Sequence, residues 1–73
     1  MYFVLTDNEE KVFQIIFNFI REYSYPPTIR EIADIMHYDR KYIGNVVKSL
    51  KKKNYITYQE RKVRTIVILD ALN

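Results

Sequence analysis

The only two prolines of this 73-residue chain stand side by side at Pro26 and Pro27, and they divide its helix-forming N-terminal half. Proline lacks a backbone N–H and disfavours helical geometry in the residue before it, so no helix can run through this pair. Apolar residues recur at helical spacing from Asp7 to about Tyr23, and a second helical pattern begins directly after the prolines. The sequence therefore predicts two separate helices joined by a short extended segment.

Each of these two helices is preceded by a threonine that stands three residues before a glutamate. Thr6 precedes Glu9, and Thr28 precedes Glu31. At this spacing each side chain can accept a hydrogen bond from the backbone N–H of the other residue, an arrangement known as a capping box. We therefore predict that the helices begin directly after the two threonines, and that the second covers about residues 29–36.

A third helical pattern covers about residues 39–53 and follows a predicted tight turn, His37-Tyr38-Asp39. Asp39 is a favourable N-cap residue, and Asn54 after the helix is a residue type that often adopts the left-handed conformation at a helix C-terminus. Apolar residues at i, i+3, i+4 and i+7 predict a buried face formed by Ile43, Val46, Val47 and Leu50.

Two runs of strand-forming residues follow, at 55–58 and 63–69, with a charged hairpin tip at 59–62 between them. Alternation in the second run places Ile66 and Ile68 on one face of the hairpin, opposite Thr65, Val67 and Leu69.

The order of these elements predicts a fold that is mainly α with a small β part (α+β). It is a three-helix winged helix-turn-helix whose wing is the C-terminal β-hairpin. A chain of this length has room for one core, so residues 1–73 are expected to form a single domain. The apolar residues 1–5 are expected to add a third strand or to rest on the first helix.

The positive charge of the chain is concentrated in its C-terminal half. The formal net charge is only +3, but residues 40–64 contain nine basic residues and a single acid, Glu60. Residues 1–39 contain three basic residues and seven acids. A basic block on one part of a weakly charged domain is typical of proteins with a polyanionic partner, although a solvated basic surface would give the same composition.

The third helix has a polar stripe opposite its predicted buried face, formed by Lys41, Asn45, Lys48 and Lys52. Tyr42 and Ser49 flank this stripe on one side. Gly44 flanks it on the other side, where a missing side chain would allow close approach to the second helix or to a phosphate.

In a helix-turn-helix protein, the N-terminal residues of the second helix of the motif contact base edges in the major groove. We therefore predict that Lys41, Tyr42 and Asn45 read bases, since Lys donates to guanine and Asn bonds adenine through two hydrogen bonds. Lys51 and Lys53 are further candidates for phosphate contact. The predicted contacts to phosphate or from the wing, which covers about residues 59–64, are Thr28, Arg30, Arg40, Lys48, Ser49, Lys52, Arg61, Lys62 and Arg64.

The composition argues against other functional classes. With no Cys, one His and one Gly, the chain offers no thiolate metal site and no Gly-rich phosphate loop. We therefore predict no catalytic residue, no metal site and no cofactor, and we interpret His37 as a turn residue. The absence of Cys also favours a cytoplasmic location. No apolar run reaches the roughly 18–20 residues that a membrane helix needs, so we expect no membrane contact. An excess of residues with AT-rich codons suggests a bacterial or phage origin.

Several short motifs carry a family resemblance. They are Leu5-Thr6, Glu10-Lys11-Val12-Phe13, Ile16, and above all the PPT-x-x-EIA sequence within Tyr25-Pro26-Pro27-Thr28-Ile29-Arg30-Glu31-Ile32-Ala33. Leu50, Lys53, Asn54 and Ile56 continue the match, with Asn54 standing where the family has Gly. On these residues the chain resembles the N-terminal DNA-binding domain of LexA-type SOS repressors, over about residues 5–69.

The resemblance implies a cytoplasmic repressor that binds operator DNA as a dimer. The segment from His37 to Ile43 is one residue shorter than in the family. Carried over through this offset, Lys41, Tyr42 and Asn45 occupy base-reading positions, but the family's operator sequence cannot be transferred because the residues at those positions differ. Nothing in the sequence corresponds to the C-terminal self-cleaving Ser/Lys peptidase domain, so SOS-triggered autoproteolysis is not expected.

We therefore expect a transcriptional regulator, acting as a repressor, that binds double-stranded DNA sequence-specifically and forms a homodimer at least on DNA. Pairing would use residues 1–5, the Phe13 and Phe17 flank of the first helix, or the wing. One alternative is a protein-interaction module whose Phe flank or wing binds a regulatory partner such as a polymerase, another repressor or a replication protein. The other is a non-specific architectural or replication-associated DNA binder.

Overall fold

Both predicted capping boxes are present and start the first two helices. The computed structural model describes residues 4–69, in which helix α1 runs over Asp7–Tyr23 and helix α2 over Ile29–Met36. Helix α3 covers Arg40–Lys52, and Asp39 caps it by accepting a hydrogen bond from the backbone N–H of Tyr42. The predicted helix positions are therefore confirmed.

A residue with positive φ follows each helix, directly after α1 and α2 and one position beyond the cap residue Lys53 in α3. Ser24 after α1 and His37 after α2 have φ of 66° and 62°, and Asn54 behind α3 has φ of 67°. The left-handed conformation predicted for Asn54 is confirmed. His37 donates its backbone N–H to the carbonyl of Ala33, so its backbone closes the helix as expected of a turn residue.

Helix α3 is the centre of the fold, since it packs against both α1 and α2. Its predicted inner face is buried, and this face forms the core together with Val12, Ile16, Ile32, Ala33, Ile56 and Ile66. The two sides of the phenylalanine flank of α1 behave differently. Phe13 packs edge-on against Tyr55 with ring centroids 5.7 Å apart, whereas Phe17 stays 42% exposed.

The hairpin contains two very short strands, β1 at Ile56–Thr57 and β2 at Val67–Ile68, which pair antiparallel. The longer strands predicted at 55–58 and 63–69 are therefore corrected. Backbone–backbone pairing stops after Thr57 because Gln59 donates its N–H to the hydroxyl of Thr65, 2.9 Å away, and so takes a side-chain partner. The predicted faces are confirmed, since Ile66 is buried and Ile68 packs on the core, while Val67 and Leu69 are exposed.

The N-terminal segment reaches the core through Leu5. Of the residues predicted to form a third strand or to rest on α1, Met1, Tyr2 and Phe3 lie outside the described residues, and Val4 and Leu5 are not in a strand. Within residues 4–69, no helix is long and apolar enough to span a bilayer.

Candidate nucleic-acid interface

The face of α3 that points away from the core is polar and open to solvent. Lys41, Asn45, Lys48 and Lys52 are all exposed, on the side opposite the buried Ile43, Val46, Val47 and Leu50. The two ion pairs found among residues 4–69 involve other cations, so these lysines keep their charge available to an external partner.

The wing stands beside this face and forms two open grooves with the helices. One groove, of about 290 Å³, lies between the exposed face of α3 and the wing tip. It is lined by Lys41, Asn45 and Lys48 on one side and by Arg61 and Lys62 on the other. Residues far apart in the sequence thus come together on one surface whose cations outnumber its single acid, Glu60.

The second groove, of about 420 Å³, lies between the N-terminal ends of α2 and α3 and the wing. The predicted contact residues among its walls are Thr28, Arg30, Arg40, Arg61, Lys62 and Arg64. Arg61 and Lys62 belong to both grooves, so the wing tip joins the two surfaces. Tyr42, Ser49 and Lys52 line neither groove.

Gly44 lines the groove between α3 and the wing, and a Cβ built at this position would meet nothing within 4 Å. The explanation that glycine is needed for close approach to α2 is therefore wrong. The alternative explanation, close approach of a phosphate, stays a prediction.

Tyr42 lies in the first turn of α3 and is tied to α1. Its hydroxyl accepts a hydrogen bond from the side-chain amide of Asn8 at 2.7 Å, and its ring packs against Tyr38 with centroids 5.1 Å apart. Tyr42 is still 38% exposed, so part of this residue is open to solvent. These contacts hold an aromatic surface in a defined position at the N-terminal end of α3.

Ser49 and Lys53 are half-buried and contact Glu9 of α1. The Ser49 hydroxyl donates a short hydrogen bond to one carboxylate oxygen of Glu9, and the Lys53 ammonium donates to the other at 2.7 Å. Glu9 is 6% exposed. Burial alone would raise the pKa of Glu9, but hydrogen bonds from Lys53, Ser49 and the Thr6 backbone outweigh it and lower this pKa to about 2.

Sequence patterns identified Glu9 only as a capping residue. Its partner Lys53 lies 44 positions further along the chain, a separation that no local spacing rule covers.

Lys51 also has a partner within the fold, since its ammonium donates to the Tyr58 carbonyl at 3.2 Å and lies 4.4 Å from the centroid of the Tyr58 ring. Of Lys51, Lys52 and Lys53, Lys52 is the exposed one.

Arg64 points from the wing toward the α1–α2 linker. Its guanidinium forms a two-pronged ion pair with Glu31 and also donates to the Pro26 carbonyl at 3.1 Å. The pKa of Glu31 is lowered, mainly by the hydrogen bond from Arg64 and then by the backbone N–H of Thr28. Ser49 and Arg64 already have hydrogen-bond partners within the chain. Their predicted contacts with phosphate stay predictions.

Comparison with known proteins places the sequence of this chain in a family. Residues 3–65 match the family model described as the LexA DNA binding domain. The chain is 38% identical over 65 residues to the LexA repressor of Leptospira biflexa, covering 89% of this chain and 32% of that protein. It is 33% identical over 66 residues to the LexA repressor of Desulfatibacillum aliphaticivorans, with 89% and 32% covered.

The LexA repressor of Pseudothermotoga lettingae is 30% identical over 66 residues, with 90% of this chain and 32% of that protein covered. The chain thus spans about a third of the length of these relatives. The family model covers most of the chain, including all three helices and the first strand of the hairpin. On this match, the chain belongs to the LexA DNA-binding domain family.

Proposed function

We propose that this chain binds double-stranded DNA sequence-specifically and acts as a transcriptional repressor, with α3 in the major groove and the wing on the adjacent backbone or minor groove. The observation that carries the proposal is the division of α3 into a buried apolar face and an exposed face of three lysines and one asparagine beside the cationic wing tip. The names of the relatives, which are LexA repressors, support the regulatory role.

Base reading is assigned to Lys41, Tyr42 and Asn45 near the start of α3. A lysine ammonium donates to the O6 and N7 of guanine, and an asparagine amide bonds the N6 and N7 of adenine. Tyr42 offers an apolar ring edge for a thymine methyl group, and its hydrogen bond to Asn8 limits the ways it can turn. All three side chains are exposed, so a duplex can reach them without rearrangement of the core.

Phosphate contact is assigned to the residues around this reading surface. Thr28 and Arg30 lie at the N-terminus of α2, where amide dipoles favour an anion. The remaining cations are Arg40, Lys48 and Lys52 on α3 and Arg61 and Lys62 on the wing, and all five are exposed. Contacts of this kind position the protein on DNA but carry no sequence information by themselves.

We also propose that two copies bind each site. One helix-turn-helix module reads only a short half-site, and such proteins gain affinity when two copies bind about one helical turn apart. The exposed Phe17 and the wing are available surfaces for pairing. Sedimentation of the complex with a minimal selected site tests this expectation, and one protein per site would contradict it.

Selection of bound sequences from random duplexes, followed by titration against the selected site and an unrelated duplex, tests the main proposal. A regulator should bind its site at least a thousandfold more tightly than the unrelated duplex. The logarithm of the affinity should fall with the logarithm of salt concentration with a slope of about −4 to −7 for each bound copy, since about four to eight neutralised phosphates each add about −0.9. Equal affinity for both duplexes would favour a non-specific binder, and a slope near zero would contradict the proposed contacts between the basic residues and phosphate.

A further inference from the structure

The hairpin has little sheet structure of its own to hold it in place. Its strands contain two residue pairs, Ile56 with Ile68 and Thr57 with Val67. The residues between them form a loop with positive φ at Arg61 and Arg64. A ladder of this size cannot set the direction of a loop that extends well beyond it, so other contacts must do so.

Besides the burial of Ile66 and the bond from Lys51 to the Tyr58 carbonyl, Arg64 supplies contacts of this kind. One guanidinium nitrogen donates to the Pro26 carbonyl and to Glu31 Oε1, both at 3.1 Å, and the other donates to Glu31 Oε2 at 2.7 Å. The guanidinium carbon lies 4.7 Å from the centroid of the Tyr25 ring, which itself packs on Phe19. The wing is therefore attached to the linker between α1 and α2 and to the first turn of α2.

Glu31 connects this attachment to the helix-turn-helix. Its Oε1 accepts the backbone N–H of Thr28 at 2.9 Å, which completes the capping box of α2, and the same carboxylate binds Arg64. One side chain thus closes the N-terminus of α2 and holds the wing. Arg61 and Lys62, the exposed cations that line both grooves, lie only two or three positions from the attachment point.

We propose that Arg64 is a positioning residue: by binding Glu31 and stacking on Tyr25, it fixes the wing so that Arg61 and Lys62 face the same duplex as α3. The inference rests on the proposed DNA binding and assigns Arg64 a role different from direct phosphate contact. In this role the negative charge of Glu31 strengthens DNA binding, although a carboxylate near DNA would by itself weaken it.

The substitution Glu31→Gln separates the two roles because they predict opposite signs. Glutamine can also complete a capping box, so α2 keeps its N-terminal hydrogen bonds. Glutamine cannot accept hydrogen bonds from both guanidinium nitrogens as the carboxylate does, because one of its two terminal groups is a donor. If Arg64 positions the wing, the dissociation constant for a mixed-sequence duplex should rise about threefold to fivefold, the scale set by an exposed ion pair. If Arg64 contacts phosphate, Glu31→Gln frees it and binding stays equal or becomes tighter.

The substitution Arg64→Lys separates the same two roles by changing the other partner of the ion pair. Lysine keeps the positive charge that a phosphate contact needs but loses the fork that matches a carboxylate. We expect the same threefold to fivefold loss, and unchanged affinity would overturn the proposal. Glu22→Gln and Arg21→Lys, which make the same chemical changes on the exposed end of α1, serve as controls for charge and side-chain type.

Coupling to Lys62 distinguishes positioning from a general loss of structure. Lys62→Ala should weaken binding less in the Glu31→Gln protein than in the unchanged chain, because a detached wing no longer places Lys62 against the duplex. Equal losses in the two backgrounds would overturn the proposal. All variants are compared at a temperature where circular dichroism shows them fully folded.

A measurement on the free protein keeps this inference separate from the proposed function. The ¹⁵N heteronuclear NOE of wing amides 59–65 should fall in Glu31→Gln and Arg64→Lys, while the values within α3 stay unchanged. Unchanged wing values would overturn the positioning role even if DNA binds. If the unchanged chain binds no duplex but the wing values fall as expected, then the proposed function fails and the attachment of the wing stands.

Discussion

The two capping boxes have the same local geometry but very different surroundings. In both, the threonine N–H donates to the glutamate at 2.9 Å and the glutamate N–H donates to the threonine hydroxyl at 3.1 Å. The Glu9 side chain is 8% exposed and binds Lys53, directly after α3, whereas the Glu31 side chain is 35% exposed and binds Arg64 of the wing. The sequence motif is the same, so only the tertiary partner and the burial differ.

This comparison shows how one motif can serve two purposes. In the first box, the Glu9 carboxylate joins α1 to the end of α3 by its ion pair with Lys53. Removing one partner leaves the other charge without a counter-ion in a partly desolvated position. In the second box, solvent screens the ion pair between Glu31 and Arg64, so the pair contributes little to stability. Its main effect is to orient the wing. We therefore expect Glu9 to matter for stability and Glu31 to matter for the position of the wing.

The largest expected effect is that of Glu9→Gln on stability. Glutamine keeps the capping box but leaves Lys53 without its charged partner, so the free energy of unfolding should fall by about 3 kcal/mol at pH 7. Glu31→Gln should cost much less, because both members of its pair are open to solvent. Urea denaturation of both proteins measures the difference, with Glu10→Gln, an exposed acid in the same turn as Glu9, as the control. Similar losses for Glu9 and Glu31 would contradict the role given to burial.

Acid should remove the same stabilisation in the unchanged chain. The pKa of Glu9 is about 2 in the folded protein against an ordinary value of 4.5, so its contribution is complete above about pH 5 and is lost as the pH falls toward 2. Between pH 5 and pH 3 this amounts to about 2 kcal/mol. The lowered pKa of Glu31 acts in the same direction, with a smaller effect because of its exposure.

Urea midpoints measured from pH 7 to pH 3 check this expectation in the unchanged chain and in Glu9→Gln. The stability difference between the two proteins should shrink as the pH falls through 5 and toward 2. A difference that stays constant over this range would show that the pKa of Glu9 is the same in the folded and the unfolded protein.

The smallest expected difference between the two boxes is at their threonines, which should behave alike. Thr6→Ala and Thr28→Ala each remove one side-chain acceptor from a helix N-terminus, at a cost of about 1 kcal/mol. Because the two hydrogen bonds have the same length, the two losses should agree within about 0.5 kcal/mol. Thermal unfolding followed by circular dichroism is sufficient to measure them, and a large difference would show that burial acts on the threonines as well.

The parts of the structure that follow from local spacing could be predicted from the sequence. Capping boxes, the proline pair and the apolar period of α3 depend on residues within a few positions of one another, and each was confirmed. The strands were predicted too long, because strand propensity does not show that Gln59 would donate its N–H to Thr65 instead of to a neighbouring strand.

The candidate interface was predictable only in part for the same reason. The helical period of apolar residues in α3 shows which residues face away from the core. This period separates Lys41 and Asn45 from Val46 and Val47. It does not show that Lys53 lies against Glu9 or that Arg64 turns back to Glu31, since these pairs are 44 and 33 positions apart. Counting basic residues therefore overstates the positive charge that is free to meet DNA.

The most direct test of the central claim compares Asn45→Ala with Lys62→Ala on a selected site and on an unrelated duplex. Neither side chain belongs to the core, so both proteins should fold. Asn45→Ala should cost about 1–3 kcal/mol on the selected site, relax the preference at one or two base pairs, and leave the unrelated duplex almost unaffected. Lys62→Ala should weaken binding to both duplexes to the same extent and reduce the salt slope by about one unit. The same uniform loss from both substitutions would contradict the assignment of α3 as the helix that reads sequence.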